Sequence, residues 1–305
     1  MYDLIPYRLK LKRPLRLAGD TRLTHREGLL LHDPESGGWG EAAPLPGFSK
    51  ETLAEVRAAA EREQWSHPEL PSLRFATDCA RKVFGAEGDV EVNALWFPET
   101  VSLDSFLQSL GSKQTPVVKI KLGPDPDLTP VLNLIAARPG CRLRLDANRR
   151  WTLADALRVL EEVPASHLEY LEEPFAEPER YEALWARAPA PVALDESLLD
   201  ASSAEALAAS PWVTAFVLKP TLMGGAADYG MWLTLAERTE KKIIWSSAFE
   251  SGVGLWHLAA LARNHPPAGL DTGEIFATQI VHPAPLPLNG CLRAPKDGML
   301  RVRRQ

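Results

Sequence analysis

Apolar and polar positions follow two different textures along the chain. Up to about Asn93 the pattern is mixed. "EGLLLHDPESGGWGEAAPLPG" predicts two strands joined by the turn-rich "DPESGG" and followed by a loop of proline and glycine. "SKETLAEVRAAAEREQW" predicts a helix with Ser49 as its N-cap, and "PSLRFATDCARKVFG" predicts a second, amphipathic one. Residues 1–93 are therefore expected to form a small α+β unit.

After "EVNALW" short β-rich runs alternate with Ala/Leu-rich helical runs: "PVVKIKLG", "LTPVLNLIAARPG", "RLRLDAN", "TLADALRVLEEV" and onward. Such alternation predicts βα units and a parallel sheet. The charged or polar residues near successive strand ends are Lys121, Asp146, Glu172, Asp195, Lys219 and Ser246, separated by 25, 26, 23, 24 and 27 residues. Steps this even fit one strand plus one helix per unit, and six units exceed what most open doubly wound sheets need. The expectation is a β/α barrel over 94–284, with these six residues at the C-terminal strand ends, where barrels build their active sites. "PAGLDTGE" supplies the last strand. The Pro-rich "HPAPLPLNG" then opens a C-terminal segment, 285–305, that leads back towards the first domain.

Composition narrows the partners. A 305-residue chain that is 45% hydrophobic can bury one large core, or a large one and a small one. A net charge of −6 and the absence of a long basic run argue against nucleic acid or an anionic membrane as the main partner. The N-terminus lacks the apolar block of a signal peptide and no run approaches a membrane span, so the cytoplasm is the expected location. Cys79, Cys141 and Cys291 are odd in number and far apart, and are expected to be three reduced thiols. There is no Walker motif, G-x-G-x-x-G, H-E-x-x-H or G-x-S-x-G.

The strand-end residues carry the chemistry. Any one of Asp146, Glu172 and Asp195 could simply cap the helix that follows its strand. Three on consecutive barrel strands converge, and gathered anions need a compensating cation; an all-oxygen set selects Mg²⁺ or Mn²⁺ over zinc. Glu173, Glu196 and Asn148 stand beside them as supporting residues or register alternatives. Lys119 and Lys121 lie two apart on one strand and share a face. Lys121 precedes the acids and Lys219 follows them, so the two face each other across the barrel mouth. Neighbouring positive charge favours the neutral, proton-accepting form of an amine, so Lys119 supports Lys121 as a base and adds positive charge towards a substrate carboxylate. A base beside a Lewis acid predicts proton abstraction α to the carboxylate of a small molecule, through an enediolate.

The motifs "KIKLG", "LRLDANRRW", "LEYLEEPF", "ALDES", "VLKPTLMGG", "SSAFESGVGL" and "GLDTGE" resemble, in order and spacing, the muconate-lactonizing-enzyme branch of the enolase superfamily. Within that branch they resemble the o-succinylbenzoate synthases, and "GWGEAAPLPGFSKET" is similar to that family's capping-domain hairpin and loop. The resemblance implies an α/β fold, a (β/α)₇β TIM-like barrel under an N-terminal α+β capping domain. It implies a Mg²⁺-dependent lyase that dehydrates 2-succinyl-6-hydroxy-2,4-cyclohexadiene-1-carboxylate to o-succinylbenzoate in menaquinone biosynthesis. Carried over residue by residue, Lys121 is the base, Lys219 stabilises the enediolate, and Asp146, Glu172 and Asp195 hold the cation. Arg144, Ser246 and the Gly269 backbone help position substrate, as would Thr24 or Arg26 from the loop "AGDTRLTHREG". Two alternatives stay open: an N-acylamino acid racemase or dipeptide epimerase using both lysines, and a non-catalytic ligand-binding barrel.

Overall fold

The computed structural model describes residues 1–17, 22–82, 88–110, 117–177, 179–200, 202, 204–294 and 301–303, apart from the side chain of Arg16. It opens with a strand that the sequence pattern does not predict, β1 (Asp3–Arg16). Pro6 and Pro14 argue against a central strand, but β1 lies at the edge of its sheet, where a missing N–H costs no ladder bond. The two strands predicted around "DPESGG" are β2 (Arg22–His32) and β3 (Trp39–Ala42), which complete an antiparallel meander in the order β1-β2-β3. Gly40 lets this sheet approach its helices: a Cβ there would run into the backbone carbonyl of Ala76.

Helix α1 (Leu53–Glu61) is capped by Thr52, which corrects the expectation of Ser49. Thr52 Oγ1 accepts from Glu55 N at 3.3 Å and the Glu55 carboxylate accepts from Thr52 N at 2.7 Å, a reciprocal capping box. The Ser49 hydroxyl instead accepts from Leu45 N at 2.8 Å. Helix α2 (Pro71–Ala80) places Pro at its first position, where no hydrogen bond is lost. Leu29 and Leu31 of β2 pack on these helices, while Leu30, Tyr7, Leu9 and Leu11 pack on Val253, Phe276 and Ile280. The sheet is therefore buried on both faces, between its own helices and the second half of the chain.

Beyond β4 (Val90–Glu91), strand and helix alternate: β5 (Ala94–Trp96), α3 (Leu103–Leu110), β6 (Val117–Lys121), α4 (Thr129–Ala137), β7 (Arg142–Asp146), α5 (Leu153–Glu162) and β8 (Leu168–Glu172). They continue through α6 (Glu179–Arg187), β9 (Val192–Leu194), α7 (Ala204–Ala209), β10 (Val213–Leu218), α8 (Pro220–Met223), α9 (Ala226–Thr239), β11 (Lys242–Trp245) and α10 (Gly252–Ala262). Strands β5 to β11 form one parallel sheet in sequence order. The ring closes through residues 268 and 269. Ala268 bridges Val92 and Gly269 bridges Ser246, with Gly269 N donating to Trp245 O at 2.8 Å and Asn93 N to Ala268 O at 2.9 Å. Seven βα units and a short eighth strand make the expected (β/α)₇β TIM-like barrel, beneath an N-terminal α+β layer.

Side chains of Tyr170, Ala193, Ala215, Val217 and Ile244 fill the barrel interior, while a larger apolar core lies between the strands and the surrounding helices. The chain then returns: β12 (Val281–His282) pairs with β14 (Arg301–Val302), β13 (Cys291–Leu292) pairs with β4, and Val302 packs on the β1 side of the first sheet. Cys79, Cys141 and Cys291 are free thiols, and among the described residues no helix is long and apolar enough to cross a membrane.

Polar groups tie the first sheet to the barrel. Buried Glu41 of β3 accepts from Ser251 N at 2.7 Å, Ser251 Oγ at 2.6 Å, Gly254 N at 2.8 Å and the Tyr7 hydroxyl, so it caps α10 from the other domain. Arg26 donates to Phe249 O at 3.1 Å, Pro44 O at 2.7 Å and the carbonyls of Ala43 and Ala248. His257 of α10 donates from Nε2 to Trp39 O at 2.6 Å. Burial, only partly offset by that bond, lowers the His257 pKa to about 4. Between the ordinary histidine value and about 4 the unfolded chain binds a proton that the folded one refuses, so this contribution is full above about pH 6.5 and is lost as pH falls. Wild type is expected to lose about 2 kcal/mol more than His257→Gln between pH 7 and pH 5, as measured by urea unfolding. Equal losses would show that His257 is not the group responsible.

Candidate active site

Parallel pairing sets the strand ends level. Lys121 lies opposite Asp146, and Asp146 opposite Glu172, in the β6-β7-β8 register. Asp195 and Lys219 immediately follow β9 and β10, and Ser246 follows β11. The side chains meet. Lys119 Nζ lies between Glu172 Oε1 at 2.6 Å and Asp146 Oδ2 at 2.9 Å. Lys121 Nζ donates to Asp146 Oδ2 and to Asn148 Oδ1 at 3.0 Å, and Lys219 Nζ donates to Asp195 Oδ2. The side chains of Lys121 and Lys219 keep 21% and 13% exposure against 8% for Lys119. The first two therefore reach the mouth, and Lys119 lies deeper.

Charge in the cluster is unbalanced. Asp146, Glu172, Asp195 and Glu196 contribute four carboxyls against the ammoniums of Lys119, Lys121 and Lys219. Burial alone would lower the Lys119 pKa, but Asp146 and Glu172 hold it above the ordinary lysine range; Lys219 is likewise raised against burial, chiefly by Asp195. Asp146 is the well-compensated acid: burial opposes its ionisation, yet Lys119 and Lys121 bring it below the usual carboxylate range. Glu172 is not, and burial followed by repulsion from Asp146 pushes it up to about 7. Burial also raises Glu196.

This donor set fits a divalent cation. Glu172 Oε2 and Glu196 Oε2 are buried with no hydrogen-bond partner, the donors are all hard oxygens, and acids outnumber amines. Among the described residues no three acidic, histidine or cysteine side chains surround one ion position; the lysines contact the carboxylate oxygens of Asp146, Glu172 and Asp195. Asn148 links the acids to the base: its backbone N–H donates to Asp146 Oδ1 at 3.0 Å, and its Nδ2 donates to Glu196 Oε1 at 3.2 Å.

Three expected substrate contacts are engaged elsewhere. Arg144 is fully buried and directs its guanidinium to Asn93 Oδ1 at 3.0 Å, Pro267 O at 2.7 Å and Glu169 at 3.2 Å, with the Tyr170 ring 5.2 Å away. It shares the inward face of Asp146 but lies one layer below the mouth. Gly269 spends its N–H on Trp245 O, and its carbonyl accepts from Ser247 N at 3.1 Å, both in closing the barrel. Arg26 is consumed by the four carbonyls named above. Of "AGDTRLTHREG", residues 18–21 lie outside the described residues, and Thr24 Oγ1 is an exposed neighbour of His25 Nδ1 at 3.0 Å. Ser246 stays at the strand end, 3.5 Å from Gly269 O.

One feature escapes sequence reasoning, and a second, Glu173, is expected only as a supporting residue or register alternative, without its partners. Leu45, Leu222 and Ala248 form an apolar cluster with Leu17, Leu23, Phe48, Leu199 and Phe249, joining first-domain loops to those after β9, β10 and β11. Glu173 collects hydrogen bonds from loops on both sides of it. The cluster has no local signature and the partners of Glu173 have none, since both are assembled from distant segments.

Comparison with known proteins agrees with this architecture. Residues 1–84 match the family model described as MenC, N-terminal domain, and residues 105–299 match that described as Enolase C-terminal domain-like. An o-succinylbenzoate synthase of Yersinia enterocolitica is 35% identical over 285 residues, covering 87% of this chain and 88% of the relative. One from Yersinia pseudotuberculosis is 34% identical over 291 residues, covering 88% and 90%. Among solved structures, a dipeptide epimerase of Methylococcus capsulatus complexed with Mg and a dipeptide superposes with a TM-score of 0.77 at 24% identity, covering 100% of this chain and 97% of that one. The o-succinylbenzoate synthase of Thermosynechococcus elongatus, complexed with Mg in its active site, gives 0.70 at 24%, covering 91% and 94%.

Proposed function

We infer, from the premise that the chain belongs to the o-succinylbenzoate synthase family of the enolase superfamily, that it dehydrates 2-succinyl-6-hydroxy-2,4-cyclohexadiene-1-carboxylate to o-succinylbenzoate. The observation that carries the reading is the opposition of two lysines. In the ring of eight strands β6 and β10 stand four places apart, so Lys121 and Lys219 approach a molecule at the mouth from opposite sides. Asp146 and Glu172 end β7 and β8, and Asp195 immediately follows β9, the three strands between them.

Lys121 Nζ, as the neutral amine, takes the proton from the ring carbon that bears the carboxylate. The resulting ammonium returns a proton to the hydroxyl leaving the adjacent ring carbon, and water departs as the ring becomes aromatic. Lys219 stays protonated, held so by Asp195, and its charge stabilises the enediolate from the other face. Asn148 supports Lys121 through its side-chain carbonyl, and Ser246 borders the mouth. Asp146, Glu172 and Asp195 would hold Mg²⁺, with Mn²⁺ as an equivalent hard cation, and Lys119 beneath them offsets their mutual repulsion. Bound there, such a cation supplies Lewis-acid stabilisation of the negative charge that develops on the substrate carboxylate.

A second reading rests on the same opposition: two lysines on opposite faces could also exchange the α-proton of an N-acylamino acid or dipeptide. Assays of the purified protein with Mg²⁺ in deuterium oxide separate the two. The expected result is o-succinylbenzoate formation, with little solvent deuterium entering the α-position of N-succinylamino acids. Rapid deuterium entry without dehydration of the cyclohexadiene would favour the racemase reading.

A further inference from the structure

We propose that Glu173 is a positioning residue that holds the cation-binding carboxylates in register, acting through its length and not through its charge; this rests on the cation reading given above. Glu173 is fully buried. Its Oε1 accepts from Asp195 N at 2.8 Å and Ser197 N at 2.7 Å. Its Oε2 accepts from Arg149 Nε at 2.9 Å, Ser197 Oγ at 3.1 Å and the Tyr181 hydroxyl at 3.2 Å. Its backbone carbonyl accepts from Arg149 N at 2.6 Å, and its N–H donates to Ala193 O at 3.1 Å.

One residue therefore fastens three loops. Arg149 belongs to the turn after β7, three residues beyond Asp146. Glu173 follows Glu172 directly. Asp195 is itself the first donor to Oε1. The turns held this way are strained: Asn148, Arg149 and Glu173 have φ of +45°, +61° and +40°. A residue with a Cβ avoids that region unless its surroundings over-determine it, and for Arg149 and Glu173 the contacts just given are those surroundings, whereas Asn148 is held by Asp146 and Glu196. An outer-layer group that orients ligating carboxylates affects metal affinity even though it never touches the ion.

A simpler role is available, a buried ion pair with Arg149 that only stabilises the fold. Two conservative variants separate the roles. Glu173→Asp keeps the charge but is one methylene too short to reach the amides of Asp195 and Ser197. Glu173→Gln loses the charge but keeps an oxygen at the right reach. Calorimetric titration of metal-free wild type and variants with Mn²⁺, with thermal unfolding recorded in parallel, provides the test. Glu173→Asp is expected to weaken Mn²⁺ binding about 10- to 100-fold, and Glu173→Gln to stay within about threefold of wild type. Ser197→Ala removes one donor to Oε2 and the hydroxyl that accepts from Arg149 Nη2 at 2.7 Å but keeps both amide donors to Oε1, and it is expected to bind as wild type does. Unchanged affinity in Glu173→Asp, or an equal loss in Glu173→Gln, would overturn the proposal while leaving the cation reading intact. Failure of wild type itself to bind Mn²⁺ would overturn both.

Discussion

Replacing Lys121 with alanine is expected to lower kcat for o-succinylbenzoate formation about 10²- to 10⁴-fold, the range lost when a positioned general base is removed. The loss should fall on turnover and not on folding. Asp146 would keep Lys119 Nζ at 2.9 Å, and Lys121 itself is one of the two amines exposed at the mouth, so no newly orphaned charge is buried. Rates of product formation and thermal unfolding of the same preparations check both halves. A Lys121→Ala protein that turns over at the wild-type rate would show that the proton is taken by another group.

Removing divalent cations with a chelator is expected to reduce turnover by about 10³-fold or more, and adding back Mg²⁺ or Mn²⁺ to restore it. Proton abstraction next to a carboxylate leaves two negative charges on neighbouring oxygens, and an ammonium on one face does not offset both. The same cation should stabilise the protein, because without it the cluster holds more acids than amines and leaves Glu172 Oε2 without a partner. At a hundredfold excess over Kd, binding to the native state alone adds about 2.7 kcal/mol, visible as a concentration-dependent rise in Tm. Full activity in chelated protein would contradict the cation assignment, and a Tm indifferent to Mg²⁺ would contradict its location.

Much of this architecture was legible because a β/α barrel repeats. Even spacing from Lys121 to Ser246 reports a strand and a helix per unit, and the parallel register then brings the strand-end residues to one rim. Features without a period were not legible. β1 carries Pro6 and Pro14, which a central strand would reject and an edge strand tolerates. The cap of α1 is Thr52 and not Ser49, a choice made by the reciprocal bond to Glu55. The closing strand is expected at the "GLDTGE" stretch, and the structure adds its partners, Val92 and Ser246. Arg144 carries the right charge on the right face, but its layer decides its partners, and layer depends on three-dimensional register. Glu41, Arg26 and Glu173 act on segments that only folding brings near.

The central claim is geometrical, and a crystal structure of the protein with Mg²⁺ and o-succinylbenzoate measures it most directly. The account predicts one cation bound by Asp146, Glu172 and Asp195, with Lys121 Nζ and Lys219 Nζ on opposite faces of the ring and Lys121 on the face from which the proton left. A cation held by other residues, or both amines on one side of the ring, would contradict it.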